Sequence, residues 1–189
     1  MTITQDQINN FVGLAHGDFA AVKRLLAETP ELLDARAVWD ETAIQAATQM
    51  GQVDIIEHLL AAGAPKDIFT AAVLGQAEEV AAMLRANPSL AQSPGVHGFS
   101  LLYFPVIRGF KDIAELVFSH GAPVNSGEGG TTPLHGAVQF NQVEMAAWLL
   151  DHGANIAALN YEKKTPLVIA RDNQQAAMIE LLTARGAKE

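Results

Sequence analysis

The chain has 189 residues, 49% hydrophobic and 17% charged, and its 12 Lys and Arg against 21 Asp and Glu give a formal charge of −9. That balance argues against nucleic acid and anionic membrane surfaces as partners, since both are bound through clustered Lys and Arg. Cysteine is absent, which rules out a disulfide frame and a cysteine metal site and fits a reducing compartment. The start, MTITQDQINNFVGLAHGD, has no basic segment followed by an apolar run, and no window is long and apolar enough to cross a bilayer, so a soluble cytoplasmic protein is expected. The apolar fraction is ample for one continuous core, and alanine dominates it, as closely stacked helices require.

From the N-terminus, Phe11, Val12 and Leu14 on one short helix, then Gly17, then Val22, Leu25 and Leu26 on the next make a first helical hairpin. It leaves through Thr29-Pro30-Glu31-Leu32-Leu33, and Asn87-Pro88-Ser89-Leu90 stands at the same place 58 residues on. Gly17 and Gly75, Gly51 and Gly109, and Gly63-Ala64-Pro65 and Gly121-Ala122-Pro123 share that offset of 58, so the first four hairpins read as a duplicated pair. Gly17 to Gly51 is 34 residues and Gly51 to Gly75 only 24, which predicts that Pro65-Lys66-Asp67 turns straight into a helix over Ile68 to Leu74 with no loop between.

The fourth hairpin opens at Ser100-Leu101-Leu102-Tyr103, but Pro105 lies too deep for a first-turn proline. It removes a helical hydrogen bond and clashes with the carbonyl near Leu101, so the inner helix is expected to start late or bend. The fifth is the most regular. Thr132 before Pro133 is a helix start, because a threonine hydroxyl accepts an orphan amide at the N-cap while the fixed φ of proline suits the first helical position. A helix to about Phe140, a left-handed Asn141 and a second helix from Val143 to Asp151, closed by Gly153, follow. The sixth restarts at Thr165-Pro166-Leu167, 33 residues later, and ends on Gly186. Gln174 stands where glycine or asparagine usually ends the inner helix, so either Asn173 takes the turn or the terminal hairpin is looser.

The TPLH-type starts, the LL-x-x-GA endings and the period of 33 over nearly the whole chain resemble the ankyrin repeat. The resemblance implies an all-α solenoid of five to six stacked helix-turn-helix units with short finger loops, forming a single domain over residues 1–189. The units fall at about 5–38, 39–65, 66–96, 97–128, 129–161 and 162–189. It also implies a protein-binding scaffold or regulatory protein, a monomer, whose finger tips and inner-helix faces form a concave groove for another protein. Fingers are expected at Asp34 to Glu41, Ala91 to Phe99, Asn125 to Thr131 and Asn155 to Lys164.

Carried onto this sequence, the groove residues are Trp39, Asp40 and Glu41 on the first finger, His97 and Phe99 on the second, and Tyr161, Lys163 and Lys164 on the last. Tyr103, Phe104 and Phe110 come from the inner helix and turn of the fourth unit. Aromatic anchors with acidic neighbours are what an interface core uses. The other reading of Tyr103 and Phe104 is packing between hairpins, and of Phe99 cover for a loop.

Enzymatic motifs are missing: there is no GxSxG, phosphate loop or HExxH, and no cofactor is expected. Gly127-Glu128-Gly129-Gly130 reads as a finger tip, since it precedes a TPLH helix and follows no buried strand. Of the six histidines, His135 is expected from the resemblance to tie its helix start to a neighbouring loop, and His120 and His152 to cap helix C-termini rather than bind metal. The alternative function is a small-molecule or metal-dependent activity in the groove around Tyr103, Phe104 and Pro105. A deep pocket with converging polar groups there would favour it.

Overall fold

The computed structural model describes residues 3–127 and 130–188. Among them lie twelve α-helices and three short 3-10 turns; the one β-type pairing is an isolated bridge between Pro94 and Ser100. The chain divides into two compact units, residues 1–74 and 75–189.

The first unit holds α1 (Gln5–Leu14), α2 (Phe19–Glu28), α3 (Ala43–Gln49), α4 (Val53–Ala61) and α5 (Ile68–Val73), with a 3-10 turn at Pro30–Leu32. Helix α1 starts in a capping box, in which the Thr4 hydroxyl accepts from Gln7 N–H and the Gln7 side chain returns to the Thr4 backbone. Thr42 and Gln45 repeat the arrangement on α3. Helices α1, α3 and α5 form one row and α2 and α4 the other. The seam between the rows is filled by Phe11, Val12, Val22, Leu26, Ile55, Ile56 and Leu59. As expected, there is no finger before α5: Asp67 itself caps that helix, its carboxylate accepting from Thr70 N–H at 2.8 Å.

The second unit holds α6 (Ala77–Ala86), α7 (Tyr103–Arg108), α8 (Lys111–Ser119), α9 (Pro133–Gln139), α10 (Val143–Asp151), α11 (Pro166–Asp172) and α12 (Ala176–Ala184). Helices α7, α9 and α11 stack in sequence as the inner row, while α6 packs on α8 and α10 on α12. Leu134, Ala137 and Val138 face Met145, Ala146 and Leu149 across a seam with essentially no exposed surface. Each such leucine contributes about 1.5–3 kcal/mol by leaving water.

Pro105 gives the expected late start, and that late start spares the hydrogen bond a deeper proline would remove. Helices α3 and α9 begin one residue after Thr42 and Thr132, but α7 begins three residues after Ser100, which leaves Pro105 as its third residue, where no intrahelical N–H bond is lost. The last hairpin differs from the expectation. Asn173 stays at φ −88°, and Gln174 itself takes the left-handed turn at φ 55°, matching Asn141 at φ 53°. Repeat packing fixes the register: Gln175 Nε2 donates to Val138 O at 2.8 Å just as Gln142 Nε2 donates to Ile107 O at 3.0 Å, and a turn one residue earlier would break that bond.

Candidate functional site

The first, second and last fingers are tight turns. In the first, Ala37 N–H donates to Glu41 O and Asp40 N–H to Ala37 O, both at 2.9 Å, with Asp40 left-handed at φ 61°. Arg36 holds Asp40 through both its carbonyl and its carboxylate, at 3.0 Å each. The finger is tied to α1, where Asn9 Oδ1 accepts from Val38 N–H at 3.0 Å and Gln5 donates to Arg36 O at 3.0 Å. In the second finger Gly95 N–H donates to Phe99 O at 2.8 Å, and His97 and Gly98 are both left-handed. In the last, Asn160 N–H donates to Lys164 O at 3.0 Å, Asn160 Oδ1 accepts from the N–H groups of Glu162 and Lys164, and Lys163 is left-handed at φ 59°. Glu128 and Gly129, at the tip expected for the third finger, lie outside the described residues.

Of the aromatic residues read as groove anchors, Trp39 is 40% and Tyr161 71% exposed. Tyr161 N–H donates to Gly130 O at 3.0 Å. Asp40 and His97 are exposed, and Phe99 and Phe110 are half-buried. Lys163 is exposed, and Lys164 bridges Glu162 at 3.2 Å and Asp172 at 3.0 Å, Asp172 first among the groups that raise its pKa.

Glu41, Tyr103 and Phe104 are different: each is at most 2% exposed, so none offers a surface to a partner. The Glu41 carboxylate turns inward, accepting from Trp39 Nε1–H at 2.7 Å and from the Gln49 amide of α3. Tyr103 lies between Phe99 at 4.5 Å and Phe104 at 5.4 Å between ring centres, and its ring covers Gly136 of α9. Both rings thus pack between hairpins, with Phe99 as a partial lid. Burial, and secondarily the nearby Tyr161 phenol, push the Tyr103 phenol well above the usual range, so it stays neutral.

Phe110 occupies a position that sequence reading left unexplained. The N-cap residues of the outer helices α4, α6, α10 and α12 are Gln52, Gln76, Gln142 and Gln175; that of α8 is Phe110. Gln52, Gln142 and Gln175 each donate to a carbonyl of the preceding hairpin. The Phe110 ring instead lies on Gly75, where an added Cβ would come within 2.9 Å of Cζ, and the Arg108 guanidinium stands 5.8 Å from its centre. The recurring glutamine after the inner turn was the signal available in the sequence.

His135, His120 and His152 hold structural positions. His135 Nδ1 sits 2.8 Å from Thr132 Oγ1 and faces Thr132 N–H, while Nε2 is 3.2 Å from Lys164 O. The ring is therefore the neutral tautomer that donates from Nε2, tying the start of α9 to the next finger. Desolvation lowers its pKa against the opposing carbonyl contacts. His120 and His152 turn Nδ1 back to the carbonyls of Leu116 and Trp148, at 2.9 and 2.7 Å, as C-terminal caps. Among the described residues no group of His, Cys, Asp and Glu is arranged to hold a metal ion, and no helix is long and apolar enough to cross a membrane.

Stacked helical hairpins joined by tight finger turns, each inner helix started by a Thr or Asp cap or a late-starting equivalent, define a repeat protein of the helix-turn-helix class. A family model described as ankyrin repeats (3 copies) matches residues 68–160 and 125–189. The chain belongs to the ankyrin-repeat family. It is 38% identical over 76 residues to the I-Kappa-B like protein C2 of Microplitis demolitor bracovirus, covering 39% of this chain and 42% of that protein. It is 30% identical over 134 residues to the putative ankyrin repeat protein FPV230 of Fowlpox virus, covering 66% and 71% of the two chains. The chicken nuclear factor NF-kappa-B p105 subunit is 27% identical over 210 residues, taking in 99% of this chain but 21% of that protein. The chain thus spans less than half the length of the first of these relatives and about a fifth of the third.

Proposed function

We propose that the chain is a protein-binding module, a scaffold or regulatory protein that meets a partner protein through its finger loops and the adjoining ends of its inner helices. One observation carries the reading. Of the five large hydrophobic side chains exposed among the described residues, Val38 and Trp39 lie on the first finger and Leu159 and Tyr161 on the last; only Phe19 lies elsewhere. Large apolar groups concentrated on loops that are otherwise held rigid by their own hydrogen bonds mark an interaction surface, whereas scattered single exposures do not. The family and the I-Kappa-B-like relatives support a partner that is itself a protein.

The formal charge of −9 favours a partner with a basic rim, whose association slows as salt rises. The test is capture of a partner from native lysate by the wild type and by Trp39→Ala, Tyr161→Ala and Phe19→Ala, after confirming unchanged helicity and melting. Loss of the partner in the two finger variants and retention by Phe19→Ala is expected. Full retention by both finger variants would contradict the reading.

A further inference from the structure

The indole of Trp39 already has its N–H occupied. Glu41, 1% exposed, accepts it through Oε2 at 2.7 Å, and the other carboxylate oxygen is held by Gln49. His16 Nε2 stands 3.7 Å from the same Oε2. Among the described residues no aromatic ring or cationic group stacks on the Trp39 ring, which is 40% exposed. A partner therefore meets a ring fixed at its edge by a buried carboxylate, with its π face as the available surface. An indole that donates to a carboxylate is polarised toward a more electron-rich face, and tryptophan is the best of the aromatic seats for a cation.

We propose that Glu41 is a positioning residue that fixes Trp39 and makes its open face the seat of a cationic side chain, Arg or Lys, of the partner protein. This rests on the protein-binding reading above and specifies its chemistry. The neighbouring charges are compatible: Arg36 is occupied by Asp40, and the chain as a whole is acidic. His16 faces the same carboxylate oxygen at 3.7 Å, farther than the indole N–H at 2.7 Å.

The experiment uses the full chain and a hexa-arginine peptide, with hexa-glutamate as its opposite. The Trp39 Nε1–H resonance, assigned by its loss in Trp39→Phe, reports both the hydrogen bond to Glu41 and contact with peptide. The expected result is a saturable shift of the Trp39 signal with hexa-arginine and none with hexa-glutamate. Trp39→Leu should weaken hexa-arginine binding by about two- to fivefold, the scale of an exposed cation–π contact. Glu41→Gln, whose amide oxygen still accepts the indole, should move the free Nε1–H signal and weaken binding more than Glu31→Gln does, which removes an equal charge from an exposed site. Equal weakening by Glu31→Gln and Glu41→Gln, or unchanged binding in Trp39→Leu, would show attraction by net charge alone and overturn the proposal. Loss of the lysate partner in Trp39→Ala with no response to hexa-arginine would overturn it while leaving the protein-binding reading standing.

Discussion

The ring of Tyr103 lies so closely over Gly136 that a Cβ built there would meet Tyr103 Cε2 at 2.5 Å and Ile107 Cγ2 at 3.0 Å. The glycine of the fifth hairpin is thus required by the tyrosine of the fourth, and the contact joins two inner helices. Gly136→Ala should cost about 1–3 kcal/mol through overpacking, in spite of the better helix propensity of alanine. Urea unfolding of the variant measures it. An unchanged or raised midpoint would mean that α7 and α9 separate easily.

Gln174 holds a left-handed backbone that costs an ordinary L-residue about 1–2 kcal/mol, which glycine avoids at some expense in unfolded-chain entropy. Gln174→Gly should therefore raise stability by about 0.5–1 kcal/mol. Its melting temperature should rise by a few degrees. A lower melting temperature would imply that the Gln174 side chain contributes packing that outweighs the backbone strain.

His135 gives a pH dependence with a defined sign. Its folded-state pKa lies below the ordinary value of 6.5, so the unfolded chain takes up the proton first as pH falls. The stabilisation is fully present above that ordinary value and is lost as pH falls through it toward the depressed folded-state value. Melting temperature should drop between about pH 7.5 and 5.5, near the histidine range, and the drop should be smaller in His135→Gln. An equal drop in both proteins would assign the effect to other groups.

Core and cap should separate in magnitude. Leu149, with no exposed surface, should cost about 2–5 kcal/mol as Leu149→Ala. His120→Ala, which removes the Nδ1 contacts to Leu116 O and to the Ser119 hydroxyl at a helix end, should cost about 1 kcal/mol or less. Chemical denaturation of the two variants side by side is the check, and a larger loss for His120→Ala would reverse their assigned roles.

The regular hairpins were legible in the sequence because their signals are local. Thr-Pro starts, left-handed Asn141 and closing glycines each act within a few residues, and the spacing of Gly51 to Gly75 was enough to remove the finger before α5. Side-chain direction on the fingers was not legible. Glu41 reads as a solvated acid, yet the turn centred on Asp40 swings its carboxylate inward to Gln49, a partner eight positions away that no local rule selects. Tyr103 and Phe104 were ambiguous because Pro105 shifts the start of α7, and the burial of both rings depends on Gly136 in the next hairpin. Gln174 was misjudged for a related reason: propensity favoured Asn173, but the bond from Gln175 to Val138 fixes the register.

The finger surface as the binding site is tested most directly by site-specific photo-crosslinking. A benzophenone amino acid is placed at Trp39, at Tyr161 and, as a control, at the exposed outer-helix position Glu180, each in the full chain in native lysate. The expected result is a protein adduct at the Trp39 probe, at the Tyr161 probe or at both, and none at the Glu180 probe. Adducts at Glu180 with none at either finger would contradict it.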